Sequence, residues 1–321
     1  MVPEQPFVER FAGDLDSLVG TDARIGVAVS GGPDSLALLL LAAAARPGQV
    51  DAATIDHGLR PEAHEEAVMV AQICGRLGVS HSTLTARWNE VPQTAIQERA
   101  RNQRYKLLGY WAEERNLGAL ATAHHADDQA ETLLMRLARG AGVRGLAGMR
   151  LRAVAPGSHI RLVRPLLGWR RSELEAICAA AALAPVDDPS NQDDRFERVR
   201  VRQAVAEQAW LDPAALARSA AHLADADDAL DWAMKVEWKH SVRERFGAFI
   251  YSPGEAPFEI VRRIVGRIVR KLATEGEPGL RGRELDHLLG ELRAGRSATI
   301  RGIRCSGGRD WRFVAAPARR T

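Results

Sequence analysis

Ser30-Gly31-Gly32-Pro33-Asp34-Ser35 lies between a β-favouring run at residues 24–29 and an apolar stretch at 33–45 that reads as a buried helix, with Pro33 suited to its first turn. Glycines without Cβ let a backbone close on a ligand, and the free N–H groups of a helix start favour an anion. The two serine hydroxyls can donate to phosphate oxygens. Asp34 does not belong beside a phosphate unless a cation lies between them, so it implies Mg2+. The Walker spacing G-x-x-x-x-G-K-S/T is absent, and no lysine lies in the stretch. The same string would also serve as a tight strand-to-helix turn capped by Ser and Asp.

Outward from this loop, strands are expected at residues 50–56, 81–84 and 120–123, and helices at 62–77, 94–116 and 126–137. Strands alternating with helices predict an α/β fold, a doubly wound, Rossmann-like parallel sheet covered on both faces. Such sheets bind ligands outside the carboxyl ends of their strands. Beyond Arg139 the pattern changes to a glycine-punctuated loop and short strand-like pieces. A helix over 172–182 follows, with Ser172 as its cap, then a polar cluster at 187–194 and a helix from Phe196. Residues 213–240 read as helical, and 299–314 as a hairpin around Gly307-Gly308. The boundary is placed at 212/213, giving a larger first domain (1–212) and a smaller, mainly helical one (213–321).

A second chemical signal falls where the fourth strand gives way to its helix: Ala121-Thr122-Ala123-His124-His125-Ala126-Asp127-Asp128-Gln129-Ala130-Glu131-Thr132. It belongs on the same rim as the first loop. His125, Asp128 and Thr132 share a helical face, and Asp128 and Glu131 are neighbours at i, i+3. Paired carboxylates near a phosphate loop can hold Mg2+ or grip an ammonium. Asp128-x-x-Glu131 is also a capping-box-like pattern, and His-His without a third ligand is weak as a zinc site. On the helix between the two signals, Arg101 and Arg104 could present two guanidinium forks to phosphates, or form a solvated face paired to Glu98.

Of the 321 residues 46% are hydrophobic and 26% charged, an ordinary globular mix that excludes wholesale disorder. The longest apolar run, residues 36–45, is too short for a bilayer span of about 20 residues, so no membrane association is expected. Residues 1–16 carry acids and no apolar core of a secretory signal. Cys74, Cys178 and Cys305 are far apart, giving neither a disulfide framework nor a zinc or iron–sulfur spacing. A reducing, cytoplasmic setting is therefore expected; the oligomeric state is left open. Net charge is +3, yet residues 261–321 hold 15 Lys/Arg against 6 Asp/Glu, leaving 29 against 35 in the rest. A basic segment on a mildly acidic body suggests an anionic partner such as nucleic acid, or else a solvated, ion-paired surface.

Ser30 to Ser35 resembles the pyrophosphatase loop of N-type ATP pyrophosphatases, the PP-loop superfamily with the adenine nucleotide alpha hydrolase type of fold. Within it, the tRNA(Ile)-lysidine synthetases are resembled by Ile55-Asp56-His57-Gly58-Leu59-Arg60, by the segment from Arg101 to Tyr105 and by Thr122 to Thr132. The likeness continues through Arg136-Leu137-Ala138-Arg139-Gly140, Gly145-Leu146-Ala147-Gly148-Met149, Arg164-Pro165-Leu166-Leu167 and Asp188-Pro189-Ser190-Asn191-Gln192-Asp193. It spans residues 25–202, in order; beyond 213 it is faint. Val199 stands after Arg198 where the family usually has Asn.

The resemblance implies an ATP-dependent ligase that adenylates the wobble cytidine of an isoleucine tRNA with a CAU anticodon. Displacement of AMP by the side-chain amine of L-lysine then gives lysidine. By the same analogy Ser30, Gly31, Gly32, Pro33, Asp34 and Ser35 are assigned to ATP, with Asp34 on Mg2+ and Asp56 beside the adenosine. Asp128 and Glu131 are assigned to lysine, Arg101, Arg104 and Arg202 to phosphate charge, and His125 to orienting or deprotonating a nucleophile. The basic end is expected to bind tRNA. Two alternatives stand beside it: a related tRNA-thiolating enzyme, for which the paired cysteines are lacking, and a non-catalytic nucleotide- or RNA-binding module.

Overall fold

The strand–loop–helix unit around the glycine loop forms as β1 (Ile25–Ala28) and α2 (Pro33–Ala45), preceded by a helix not expected from sequence, α1 (Gln5–Val19). The computed structural model describes residues 1–56, 58, 62–86, 96–186, 193–273, 279–280 and 282–316. The alternation continues as β2 (Val50–Asp56), α3 (Glu62–Leu77), β3 (Ser80–Thr85), α4 (Ile96–Glu114), β4 (Ala119–Ala121) and α5 (Ala126–Ala138). The helix start expected at 94 lies outside the described residues. A helical turn, α6 (Val143–Leu146), leads to β5 (Arg152–Val154), β6 (Arg161–Val163), α7 (Arg171–Ala180), α8 (Glu197–Glu207) and α9 (Pro213–Ser241).

The strand order is β3-β2-β1-β4-β6-β5, with every pair parallel except β5–β6 at the edge. The order reverses between β1 and β4, the switch point at which open α/β sheets bind ligands. Side chains alternate along each strand. Val27, Ala52, Ala119, Ala121 and Val163 join an apolar cluster with α1, α2, α3 and α7, while Ala53, Leu120 and Leu162 join Tyr105, Leu108 and Trp111 of α4. Both faces are therefore covered, as the double winding requires. Gly26 faces α4, where a Cβ would come 2.6 Å from Cζ3 of Trp111, so the indole packs on bare backbone.

The uniform apolarity of α2 reflects its position, since α1 and α7 both pack on it and residues 36–42 are all buried. α1 buries Val8, Phe11, Leu15 and Leu18, a helical spacing, and Trp169 Nε1 donates to Asp14 Oδ2 at 2.8 Å to fix it. Ser172 does not cap α7. Arg170 takes that position, because the Glu173 carboxylate accepts its N–H at 2.7 Å and starts the helix one residue earlier.

Two compact units are present, Met1–Ala224 and Asp225–Thr321, dividing inside α9 rather than at its proline start. The second contains β7 (Val242–Arg245), β8 (Ala248–Tyr251), α10 (Phe258–Leu272), α11 (Gly282–Arg293), β9 (Ser297–Ile300), β10 (Ile303–Ser306) and β11 (Trp311–Ala315). Helices hold more of its residues than strands do, as expected. The strands nevertheless form a five-stranded antiparallel sheet, β7-β8-β11-β10-β9, of which sequence anticipated only the β10–β11 hairpin. Its inner face, including Phe249, Tyr251, Cys305 and Phe313, packs against α10 and α11. Among the described residues no helix is long and apolar enough to cross a membrane.

Arg263, counted from sequence as a surface cation, is 8% exposed. Its guanidinium reaches Asp227 Oδ1 and Asp231 Oδ1 at 2.6 Å each and Glu259 Oε1 at 2.9 Å. Removing one partner from a buried charge pair costs about 3–5 kcal/mol. Arg263→Ala is expected to lower unfolding free energy by that order in urea denaturation, with Arg263→Lys in between; an unchanged midpoint would show the network to be dispensable.

Candidate active site

The glycine loop continues β1: Val29 N–H donates to Ala53 O at 2.9 Å before the chain turns. Gly31 has φ +85°, and a Cβ there would meet Met69 Cε and Val186 Cγ2 at 3.3 Å, so both conformation and space demand glycine. Gly32 is the N-cap of α2 and Pro33 its first residue. Ser35 Oγ accepts the Ser30 N–H at 3.1 Å and donates to Gly32 O at 3.0 Å, so this hydroxyl holds the loop in shape instead of standing free for a phosphate. The loop borders a cleft of about 680 Å3, lined also by Thr54 and Ile55 from the end of β2, Thr122 and His124 from the end of β4, and Arg104 and Tyr105 of α4. The cleft thus opens at the carboxyl ends of β1, β2 and β4.

Asp34 points one oxygen at a cation: Oδ2 lies 3.5 Å from His125 Nε2. Its Oδ1 is buried and has no hydrogen-bond partner among the described residues. Those residues contain no group of three His, Cys, Asp or Glu able to hold a metal. Mg2+, however, commonly takes one or two carboxylates and fills its shell with water and substrate phosphates. The orphaned Oδ1 beside the loop fits that requirement.

His125 is the N-cap of α5 and is 2% exposed. Its Nε2 is 3.5 Å from both Asp34 Oδ2 and Asp128 Oδ2, and its Nδ1 is 3.6 Å from Asp127 Oδ2. Burial alone would lower its pKa, but interactions with Asp127, Asp34 and Asp128 outweigh it and raise the pKa to about 10. The separations are those of ion pairs. His124 beside it behaves oppositely: burial, followed by the charges of Arg164, Arg101, Arg104 and Arg198, pushes it down to about 2. Thr122 Oγ1 is 3.0 Å from its Nδ1. Two adjacent histidines therefore hold opposite protonation states at neutral pH.

The expected acidic pair is present but already partnered. Glu131, 3% exposed, meets Arg198 Nε at 2.5 Å and Arg202 Nε at 2.7 Å, and Asp128 Oδ1 meets Arg198 Nη2 at 2.8 Å. The cap that forms is His125 N–H to Asp128 Oδ2 at 3.1 Å, one turn before the Asp128–Glu131 spacing read from sequence. Burial pushes the Asp128 carboxyl up, against the pull of His125 and Arg198. Asp127, which burial would also raise, is instead held well below the usual range by His125 and by the Arg171 N–H, which donates to its Oδ2 at 2.9 Å.

Other assigned residues are distributed unevenly. Arg104 lines the cleft, whereas Arg101 is exposed; both guanidinium groups lie over the Tyr105 ring, at 5.4 and 5.2 Å. The Glu98 side chain lies outside what is described. Arg202 belongs to the acidic pair and not to the cleft wall, because Glu131 holds its Nε. Asp56 accepts the Gly58 N–H at 2.8 Å, and Thr54 and Ile55 line the cleft in its place. Residues 57, 59–60 and 188–192 of the motif stretches lie outside the described residues.

Sequence did not single out Arg198, noted only as the residue before Val199, nor Asp127 and Thr122 individually; their signal was proximity to chosen neighbours. Val199 is buried, so an apolar side chain fills the place of the family's usual Asn. All three cysteines are free and buried, with thiols pushed up by burial to about 12, 11 and 12 for Cys74, Cys178 and Cys305. None supplies a thiolate at neutral pH.

The family model for the PP-loop domain matches residues 5–209. A tRNA(Ile)-lysidine synthase of Novosphingobium aromaticivorans is 47% identical over 316 residues, 97% of this chain and 94% of that protein. One from Zymomonas mobilis is 42% identical over 323 residues, 100% of this chain and 96% of that protein. Among solved structures, the U34-tRNA thiolase NcsA of Methanococcus maripaludis aligns with a TM-score of 0.57 over 68% of this chain and 80% of its own, at 16% identity, a likeness of fold.

The two histidines give a direct test. In ring-nitrogen NMR of the ligand-free protein between pH 5 and 8, assigned with His124→Gln and His125→Gln, the His125 ring is expected to stay protonated and the His124 ring neutral. A pKa raised above 6.5 on folding contributes stability that is complete below about pH 6.5 and fades toward pH 10. Stability should therefore fall over that window, and less so in His125→Gln. Titration of both rings near 6.5 would dissolve the cluster.

Proposed function

The chain belongs to the tRNA(Ile)-lysidine synthase family, and on that premise we propose that it joins L-lysine to the wobble cytidine of an isoleucine tRNA with a CAU anticodon, with ATP cleaved to AMP and pyrophosphate. The observation that carries this reading is one ion cluster linking two subsites. Through His125 the glycine loop at the cleft is coupled to the buried pair Asp128 and Glu131.

In the first step the cytosine carbonyl oxygen attacks the α-phosphate and pyrophosphate leaves. Such transfer depends on positioning and charge neutralisation more than on covalent help from the protein. At the helix start Gly32, Asp34 and Ser35 offer backbone N–H groups to the departing phosphates, and Arg104 adds a cation on the cleft wall. Asp34 Oδ1 would hold Mg2+, which supplies neutralising charge to the phosphates when bound. His125, already protonated, keeps Asp34 aimed and screens it from the phosphates.

In the second step the lysine amine attacks the adenylated carbon and AMP leaves. The ammonium must first lose a proton. His125 has no free site for it, and His124 at about 2 is too weak a base. Asp128, whose carboxyl burial pushes up, is the group we assign to take it, with Glu131 holding the ammonium. Buried carboxylates require a counter-charge. Arg198 and Arg202 supply it in the free protein, and the lysine ammonium would share that role when it enters. We assign residues 213–321 to tRNA backbone contacts, from the excess of 15 basic over 6 acidic residues in 261–321. The thiolation alternative is disfavoured by the buried thiols, and the non-catalytic alternative by the intact loop and acids.

Lysine-dependent AMP release from ATP, with the matching tRNA present, tests the reading; release without lysine, or none at all, would overturn it. Asp34→Ala is expected to abolish pyrophosphate release while thermal unfolding stays cooperative. Glu131→Gln removes a hydrogen bond to a charged group, so KM for lysine is expected to rise about ten- to a hundred-fold with KM for ATP nearly constant. Equal rises in both would assign Glu131 to the metal instead.

A further inference from the structure

Strand register sorts the residues of the second unit's sheet onto two faces. Phe249, Tyr251, Ile303, Cys305, Trp311 and Phe313 point to the core. The intervening positions form two rows on the other side. Arg243 stands opposite Ile250, Ile250 opposite Arg312, and Arg312 opposite Ser306; in the next row Arg245 pairs with Ala248, Ala248 with Val314, and Val314 with Arg304. Thus Arg243, Arg245, Arg304 and Arg312 share one face, all exposed. No outward position among the five strands carries Asp or Glu.

Four other arginines of the unit are committed elsewhere. Arg262 pairs with Asp286, Arg263 with its three acids, Arg296 with Glu291 and Arg301 with Glu284. The four sheet arginines make no ion pair or hydrogen bond with the described residues. Arg304 and Arg312 are diagonal neighbours on adjacent strands, about 7–8 Å apart at Cα. Unpaired guanidinium groups in regular rows repel one another unless a polyanion lies across them.

A second observation lies at the corner of this face. Phe246 and Gly247 form the two-residue turn joining β7 to β8, with φ of +49° and +71°. That turn favours Asn-Gly or Asp-Gly, and a bulky side chain in the left-handed region is disfavoured. Phe246 gains no packing for it, being 105% exposed and adjacent to Arg245. An exposed aromatic beside free arginines is the chemistry of single-stranded nucleic-acid recognition, in which a base stacks on the ring while cations hold the backbone.

We propose that this outward sheet face is where the tRNA docks, its phosphates on Arg243, Arg245, Arg304 and Arg312 and an unpaired base stacked on Phe246. The proposal rests on the reading of residues 213–321 as the tRNA-binding part. It narrows the contact from residues 261–321, over which the charge was counted, to the outward face of the sheet, and adds β7.

The test uses full-length protein and tRNA, with affinity measured by fluorescence anisotropy over a range of salt. Arg304→Glu with Arg312→Glu is expected to weaken binding by about tenfold or more and to lower the log–log salt slope by about 2. The Arg304→Lys, Arg312→Lys pair should keep the slope. Phe246→Ala should weaken binding by about fivefold or more with the slope unchanged, and Phe246→Trp should restore it. ATP binding and melting temperature serve as controls for folding. Wild-type affinity and slope in the charge-reversed protein would overturn the proposal, as would equal losses in the lysine pair. If the wild type makes no lysidine while these changes still appear, the function assigned above fails and the docking face stands.

Discussion

A buried imidazolium needs anions around it, and buried carboxylates need cations; the first unit is organised around satisfying both at once. His125 sits among Asp34 on the glycine loop and Asp127 and Asp128 on its own helix. Asp127 reaches on to the start of α7 through the Arg171 N–H, and Asp128 to α8 through Arg198. Four segments distant in sequence are thereby bound by one alternating set of charges. Remove the central cation and three carboxylates face one another in a poorly solvated space, where repulsion is strong.

This cluster assigns different work to neighbouring groups of similar chemistry. His124 and His125 are adjacent in sequence, yet one faces arginines and the other faces acids, so their pKa values diverge to about 2 and about 10. Such divergence of like groups often separates roles at a catalytic centre. In the free protein His125 is held protonated and His124 neutral, which favours the orienting role over the deprotonating one among the two that the resemblance implied for His125. The proposal that a carboxylate takes the proton rests on this divergence and on the opposite shifts of Asp128 and Asp127.

Much of the first unit was legible because its signals are local. A glycine loop between a strand and an apolar helix, and strands alternating with helices, depend on backbone sterics and period, which neighbouring residues determine. The element limits of α2, β2 and α3 coincide with expectation. What was not legible depends on partners far along the chain. That Arg202 pairs with Glu131, 71 residues away, and that Ser35 serves its own loop, are results of packing α8 on α5 and of the turn at Gly31. α1 carries a local signal too, with Val8, Phe11, Leu15 and Leu18 at helical spacing, but it stands ahead of the strand–helix alternation that defines the fold.

The second unit shows the same limit in its charges. A count over residues 261–321 treats every arginine alike, yet the fold divides them into kinds with opposite consequences. Arg263 is a structural cation whose loss strands buried acids, while Arg262, Arg296 and Arg301 are neutralised by neighbours. Charge that is already paired exerts little field beyond a Debye length and binds no further anion strongly. Cations left unpaired are the ones that attract a polyanion, and on the sheet their placement follows from β-strand register. Alternation places every second residue of β7, β10 and β11 outside, so the rows of Arg243 with Arg312 and of Arg245 with Arg304 arise from period two rather than from the number of basic residues. Net charge sets how strongly a polyanion is attracted, and in the proposed docking mode the unpaired rows set where it lies.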